Sequence, residues 1–400
     1  MRFKPDRYFK PFEPGKDLQE VEKILRKIET KKVGLYVHIP FCKIICPFCP
    51  YNKVLHDPDL ERTYENALLE ELNFYLSMMD GEFDSLYFGG GTPTLMLKTL
   101  GKISDKVRVR NERAVEYLPN SSPEEEFSML RDMGISYISI GIQSMNEEVL
   151  RYLKRPNSVD DNVKTLKSIK KFFDFVDADL IFDSVKFDEN VVVEDAKKLF
   201  EFGVDQISIY PLMRFGYTPF GKGKHDRKKE HLILKKVEEI GCKYGYRRTS
   251  VWTFGRMEEK RYTSITREFY VGIGAGSATY LKDAFYVNHF SPANYSRAVE
   301  ENSIPIAIWR KLGRFDSMLF YSFWRFYTGE LDFNLLWRYF GFSTIPMKLF
   351  SLLLFLFRCA RFDDGKCILT SKGFNLFHDI EEFVTYRYIE PLWEYMRKTS

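Results

Sequence analysis

The 400-residue chain is predicted to be an α/β protein built on a partial (β/α)6 TIM-like barrel, followed by a small, mostly helical accessory domain. Three observations predict this. From Val33 onward, short β-branched or aromatic runs alternate with amphipathic helical stretches, the pattern of βα units around a parallel sheet. Six such runs occur, enough for an open barrel. After about residue 300 the alternation gives way to aromatic helical segments, and 44% hydrophobic content is sufficient for a substantial core throughout.

Taken in order, residues 1–30 form an N-terminal arm, charged and proline-containing as far as Pro14 and then helical from Asp17 to Ile28. Apolar Val21, Leu25 and Ile28 recur there at helical spacing. The core barrel spans 31–298. Its strand runs are Gly34–Ile39, Ser85–Phe88, Ala114–Leu118, Tyr137–Ile142, Ala178–Phe182 and Gln206–Tyr210, separated by helical patterns such as Leu60–Met79, Val163–Phe173 and Val193–Phe202, with Glu230–Tyr244 after the last. Right-handed crossovers put the strand ends on one rim, where βα loops carry chemistry in barrel folds. The accessory domain, 299–400, contains helical Met318–Phe326 and Leu335–Phe340, a short Cys367–Thr370 run and a final helix from Ile380. The most apolar run, Leu349–Phe357, falls well short of the ~20 residues that cross a bilayer and is expected to be a buried helix, not a membrane span.

Sixty basic against fifty-six acidic residues leave a formal charge of +4, too small for the chain's size to argue for a nucleic-acid partner. Six cysteines without small-domain spacing, and no basic-then-apolar leader, argue for a reducing compartment. A cytoplasmic location is expected. The 36 Phe and 24 Tyr are read first as core, second as walls for a flat ligand.

Cys42, Cys46 and Cys49 place three thiols on one short C-x3-C-x2-C loop, directly after the first strand. Soft thiolates favour iron–sulfur clusters, zinc or copper(I). A structural zinc site would normally close with a fourth ligand nearby, and Cys242, Cys359 and Cys367 are distant and scattered. A second constellation, Phe88-Gly-Gly-Gly-Thr-Pro-Thr94, follows the second strand. Its glycines allow close backbone approach to a ligand, no Gly-Lys-Ser/Thr makes it a P-loop, and alone it reads equally as a tight turn.

Together these motifs resemble the radical S-adenosylmethionine (SAM) superfamily. The phrase from Tyr36 to Cys49 resembles its oxygen-independent coproporphyrinogen III oxidase-like group, which includes heme chaperones and radical methyltransferases. The resemblance implies a [4Fe–4S] cluster on Cys42, Cys46 and Cys49, with the fourth iron left for SAM. It also implies a cofactor-binding set of Tyr36, Phe48, Gly90, Gly91, Thr92, Glu116, Gln143, Arg155 and Asp179. Singly, each polar member has an ordinary reading: a strand-end acid can cap a helix, Arg155 can close a helix C-terminus and Gln143 can satisfy a turn. Collectively they supply acceptors for hydroxyls and ammonium and a cation for a carboxylate, which a zwitterionic sulfonium needs.

The likeness continues through Gly272–Ser277, Asn288 and Tyr295 into Thr328–Asp332, Phe340-Gly341 and Leu369–Gly373, nearly the full chain. A dinucleotide site at Gly272–Gly276 is the alternative, but no βαβ unit surrounds it. By resemblance the chemistry is SAM cleavage to a 5′-deoxyadenosyl radical by an oxidoreductase. The implied partners are one SAM molecule, or two in a methyltransferase, a small substrate related to tetrapyrroles, and an electron donor such as ferredoxin or flavodoxin. Two departures bear on substrate. Oxidases of the group usually carry a cysteine where this chain has Tyr51, and the chaperones usually carry His-Asn-x-x-Tyr-Trp where this chain has Arg261–Thr266. The six histidines show no spacing that singles out a heme ligand.

Overall fold

The computed structural model describes residues 3–79, 82–256, 267–302 and 304–399. Arg261–Thr266 lies outside the described residues. All six predicted strands form, as β1 (Val33–Ile39), β2 (Ser85–Gly90), β3 (Arg113–Tyr117), β4 (Tyr137–Gln143), β5 (Phe175–Phe182) and β6 (Gln206–Pro211). They lie side by side in chain order, each parallel to the next. Long stretches separate them, because parallel neighbours require a crossover. The first crossover contains helix Pro58–Met78, which starts where Asp57 accepts from the backbone N–H groups of Asp59 and Leu60.

The sheet continues beyond these six. Downstream come β7 (Tyr246–Arg248), β8 (Thr253–Arg256), β9 (Phe269–Ile273), β10 (Ala278–Leu281), β11 (Ala284–Asn288) and β12 (Ile306–Lys311). Strand β9 lies parallel to β1 on the side away from β2, and β10, β11 and β12 extend that flank antiparallel. Antiparallel β8 and β7 close the other flank beyond β6. With Lys10–Pro11 paired to β12, the described residues form a thirteen-stranded sheet. Its pairing runs across positions 30 and 298.

Strand alternation gives this sheet two chemically different faces. Val33, Leu35, Val37 and Ile39 of β1, Leu86 and Phe88 of β2, and Ile138, Ile140 and Ile142 of β4 are buried in the main apolar core. The intervening positions are polar, aromatic or glycine, and the register lines them up: Tyr36 beside Tyr87, Glu116 beside Ser139, Asp177 beside Gln206, Asp179 beside Ser208. Because successive side chains point to opposite faces, one face packs as core while the other forms a polar layer.

Downstream, helix Arg314–Tyr327, helix Phe333–Phe340, helix Ile345–Leu356 and helix Ser371–Val384 surround a three-stranded sheet of Glu330–Asp332, Lys366–Leu369 and Ala360–Asp363. The final helical region starts at Ser371, earlier than Ile380, because the Thr370 side chain caps its N-terminus. One expectation is overturned. The run Leu349–Phe357 is helical as far as Leu356 but is not buried: Leu349, Leu352, Leu353, Phe355, Leu356 and Phe357 are all exposed. Its packed side is the narrow one formed by Met347, Ser351 and Leu354.

Candidate active site at the strand ends

The cysteine loop begins where β1 ends. Main-chain bonds from Val54 N–H to Pro40 C=O and from His56 N–H to Cys42 C=O close it into a compact excursion. Phe48 plugs its underside, buried with Val149, Leu153 and Leu212 against Cys46 and Cys49. Burial, and less strongly the neighbouring Cys49 and Cys46, pushes the Cys42 thiol up to about 11, and burial raises Cys49 as well. None is in a disulfide. Two donors face them: the Thr92 hydroxyl lies 3.8 Å from Cys42 Sγ, and Arg155 Nη1 lies 3.5 Å from Cys46 Sγ.

The glycine turn after β2 packs against this loop. Gly91 donates its N–H to Ile39 C=O at 2.7 Å, and Thr92 donates to Phe41 C=O at 2.8 Å. A Cβ on Gly91 would sit 2.5 Å from Phe41 O and 2.9 Å from Cys42 Sγ. No larger residue fits. Gly90 has φ +117°, a conformation only glycine adopts without strain, and it donates its N–H to Glu116 Oε2 at 2.9 Å. Glu116 Oε1 accepts from the Tyr87 hydroxyl at 3.0 Å, and burial raises the acid's pKa despite both donors.

Gln143 closes β4 in a left-handed conformation, φ +65°, rare for any residue but glycine. Its Oε1 is buried without a hydrogen-bond partner. A strained backbone that aims an unpartnered polar atom inward is the mark of a ligand position. Arg155 crosses over the same strand end: Nη2 donates to Gly141 C=O at 2.9 Å and Nε to Asn157 Oδ1 at 3.1 Å, so one guanidinium ties β4 to the cysteine loop. Asp179 accepts from the Ser139 hydroxyl at 2.8 Å, and its pKa is raised by burial first and by Asp177 second. Asp177 is held by Gln206 and Ser208, with its pKa pushed up to about 6 by burial.

Tyr36 faces the interior from β1. His38 Nε2 donates to Asn52 C=O at 2.9 Å, so its Nδ1 accepts from the Tyr36 hydroxyl, also at 2.9 Å. Burial lowers His38 to about 4, which keeps it neutral and fixes that tautomer. Tyr36 also stacks on Tyr87 at 5.9 Å.

Tyr36, Tyr87, Gly90 and Glu116 line an interior cavity of about 340 Å³ that runs from the start of β1 and β2 to the rim. Its other walls escaped the sequence reading. They include Tyr51, Asn52, Tyr270, Trp324 and Trp393, with Arg267 and Arg325 toward the strand starts. Arg267 pairs with Glu112 and Asp84. Tyr51 projects into the cavity against Trp393, 5.8 Å away on helix Glu390–Thr399, and Arg397 of that helix donates to Pro50 and Tyr51 carbonyls at 2.8 and 2.9 Å. Elsewhere, donor atoms of His231, His378 and Asp379 lie within 4.8 Å of one another, but both His378 ring nitrogens are engaged, by Trp252 and by Glu230.

The donor set fits an iron–sulfur cluster with an open iron. Three thiols converge, the glycine turn leaves a bare backbone beside them, and the Gln143 amide oxygen awaits a partner at the strand ends.

Comparison with known proteins agrees. Residues 36–189 match the family model described as the radical SAM superfamily. A heme chaperone HemW from Lactococcus lactis subsp. lactis is 28% identical over 288 residues, covering 67% of this chain and 75% of the relative. An oxygen-independent coproporphyrinogen III oxidase from Paracoccus denitrificans is 24% identical over 288 residues, covering 64% of each. Among solved structures, coproporphyrinogen III oxidase (HemN) from Escherichia coli superposes with a TM-score of 0.78 at 20% identity, covering 92% of this chain and 93% of that one. That similarity establishes the shared fold.

Proposed function

Because this chain carries a radical SAM domain with HemN-like relatives, we propose that it is a radical SAM enzyme acting on a tetrapyrrole-related substrate, by oxidative decarboxylation of a propionate side chain. The observation that supports this best is the convergence of Cys42, Cys46 and Cys49 on one loop beside the Gly90–Thr92 turn, with Arg155 tying that loop to the strand that ends in the unpartnered Gln143 amide oxygen. A [4Fe–4S] cluster and SAM, bound there, supply one-electron cleavage of a carbon–sulfur bond and hydrogen abstraction.

The chain's own residues do the rest. Thr92 and Arg155 donate to two of the ligating sulfurs and set the angle at which the loop presents them. Glu116 and Asp179, acids whose ionisation burial disfavours, gain most from a cationic ligand and so select a sulfonium and an ammonium over a neutral nucleoside. Gln143 offers its free oxygen to a donor such as a hydroxyl or amine. The aromatic walls Tyr36, Tyr51, Trp324 and Trp393 suit a flat ring, and Arg325 suits a carboxylate on it. A reducing partner such as a ferredoxin or flavodoxin would supply the electron that cleaves SAM, the abstracted hydrogen would leave in 5′-deoxyadenosine, and a separate one-electron acceptor would take up the electron released when the substrate radical loses carbon dioxide and becomes a vinyl group.

The test is anaerobic reconstitution followed by electron paramagnetic resonance of the reduced protein with and without SAM, then assay of 5′-deoxyadenosine with porphyrinogen substrates. A cluster signal that shifts on SAM addition, followed by substrate-dependent 5′-deoxyadenosine, supports the reading; a cluster indifferent to SAM overturns it. The relatives named heme chaperone favour a second reading, delivery of heme without chemistry on it. That reading requires stoichiometric heme binding with no porphyrinogen consumed. A radical C-methyltransferase in the same branch would consume two SAM molecules per turnover.

A further inference from the structure

Helix Ile345–Leu356 is inverted relative to an ordinary surface helix. Its solvent face carries Ile345, Leu349, Leu352, Leu353 and Leu356, spaced at three and four residues so that they form one stripe, and Lys348 is the charge beside them. Phe342, 79% exposed, and Phe357, 67% exposed, continue the stripe at its two ends. Single exposed leucines need no explanation, but a continuous stripe of this kind does.

Three features identify what covers it. First, between Phe333 and Phe362 the face carries Arg338, Lys348 and Arg358 with no acidic residue among them, while Arg361 is paired with Asp363 just beyond, in a chain whose charges otherwise nearly balance. A two-fold contact between two copies of this face would bring like cations together with no acid of the stretch to offset them. Second, Trp337 and Phe342 pair at 5.1 Å on the exposed side, with the Lys348 ammonium 5.2 Å from the Trp337 ring, an amphipathic aromatic placed at one end of an apolar stripe. Third, the element cannot span a bilayer. Phe333–Leu356 is long and apolar enough by length and composition, with a mean hydropathy of 1.5 in its best window. Yet Gly341, at φ +56° and ψ −132°, breaks it into two helices. The second, of 12 residues, is about 18 Å long against a hydrocarbon core of about 30 Å. Met347, Ser351 and Leu354 hold its other side to the domain, and Phe350 rests on Phe326.

We infer that this face seats the protein on an anionic lipid surface, with helix Ile345–Leu356 lying in the interface plane, its leucines among the upper acyl chains and Arg338, Lys348 and Arg358 among the headgroups.

The test uses full-length protein in flotation with vesicles of phosphatidylcholine alone or mixed with phosphatidylglycerol. The protein floats with the anionic vesicles, less at high salt, and the double substitution Leu349→Glu/Leu353→Glu lowers partitioning at least about tenfold. Both sites already face water, so the variant keeps its circular dichroism spectrum and its cluster. Brominated lipid quenches tryptophan fluorescence in the wild type, and Trp337→Phe reduces that quenching. Absence of flotation with either vesicle, or equal flotation with both, overturns the proposal. So does a lipid-free wild-type dimer that the double substitution converts to monomer, since a second copy would then own the face.

Discussion

The inner face of the β1–β6 sheet and the outer face of helix Ile345–Leu356 break the usual distribution of polarity in opposite directions. Inside, Asp177 and the Gln143 amide oxygen are taken out of water, and burial disfavours the ionised forms of Glu116 and Asp179. Outside, Leu349, Leu353, Leu356 and Phe357 are left in it. Each arrangement is unfavourable in the isolated chain and becomes favourable only with something bound. The inner face asks for a charged, hydrogen-bonding ligand, the outer face for a hydrocarbon surface. Departure from the inside–outside rule thus marks both regions, and its direction states the chemistry of what each one binds.

The largest effect breaks the inner half of the comparison. Cys46→Ala abolishes the reduced-cluster resonance and all SAM cleavage, while thermal unfolding stays cooperative because the residue lies on a rim loop rather than in the core; loss of folding instead would make the thiols structural. Next comes a pair on one helix turn. Leu354→Ala removes a buried side chain and costs about 2–5 kcal/mol in denaturant unfolding, whereas Leu353→Ala, facing water, changes stability by less than about 0.5 kcal/mol. Equal costs would mean that the outer face is covered within the folded monomer.

A pH series sharpens the contrast between partnered and unpartnered buried groups. Glu71 accepts from Gly274 N–H, Asn288 Nδ2 and the Tyr295 hydroxyl, yet burial raises it to about 7. With its folded pKa above the ordinary 4.5, the folded state holds a proton that the unfolded state has released. Stability from this group is therefore present at low pH and lost as pH rises from about 4.5 through about 7, by on the order of 3 kcal/mol. Glu71→Gln should flatten that part of the stability–pH curve measured by urea unfolding. An unchanged slope would place the titration elsewhere, with Asp177 the first candidate because its shift has the same sign. The smallest effect is Arg397→Ala, which removes two hydrogen bonds to the Pro50 and Tyr51 carbonyls and costs about 1 kcal/mol. Its clearer readout is faster loss of iron to a chelator.

The six central strands were legible because β-branched runs alternate with helical patterns at crossover spacing, and the cysteine loop because three soft ligands so close together have few uses. The flank β9–β12 was not. Phe269–Ile273 is apolar enough for a strand, but its parallel partner is Val33–Val37, and no local signal announces a pairing that distant in sequence. The cavity walls failed for the same reason, since Tyr51, Arg325 and Trp393 meet only after folding. Resemblance supplied Gln143 as a candidate, while its positive φ and orphaned oxygen are invisible in the letter Q. Leu349–Phe357 was read wrongly because an apolar run looks the same whether its outer face meets protein or lipid; composition records hydrophobicity but not its neighbour.

The contact of Arg397 with Pro50 spans 347 residues. At ribosomal speeds of about 5–20 residues per second, roughly 17–70 s separate the emergence of the cysteine loop from that of the helix that later clamps it. For that interval the Pro50 and Tyr51 carbonyls lack the guanidinium that later ties them down, so the stretch just after Cys49 takes its final hydrogen bonds long after it leaves the ribosome.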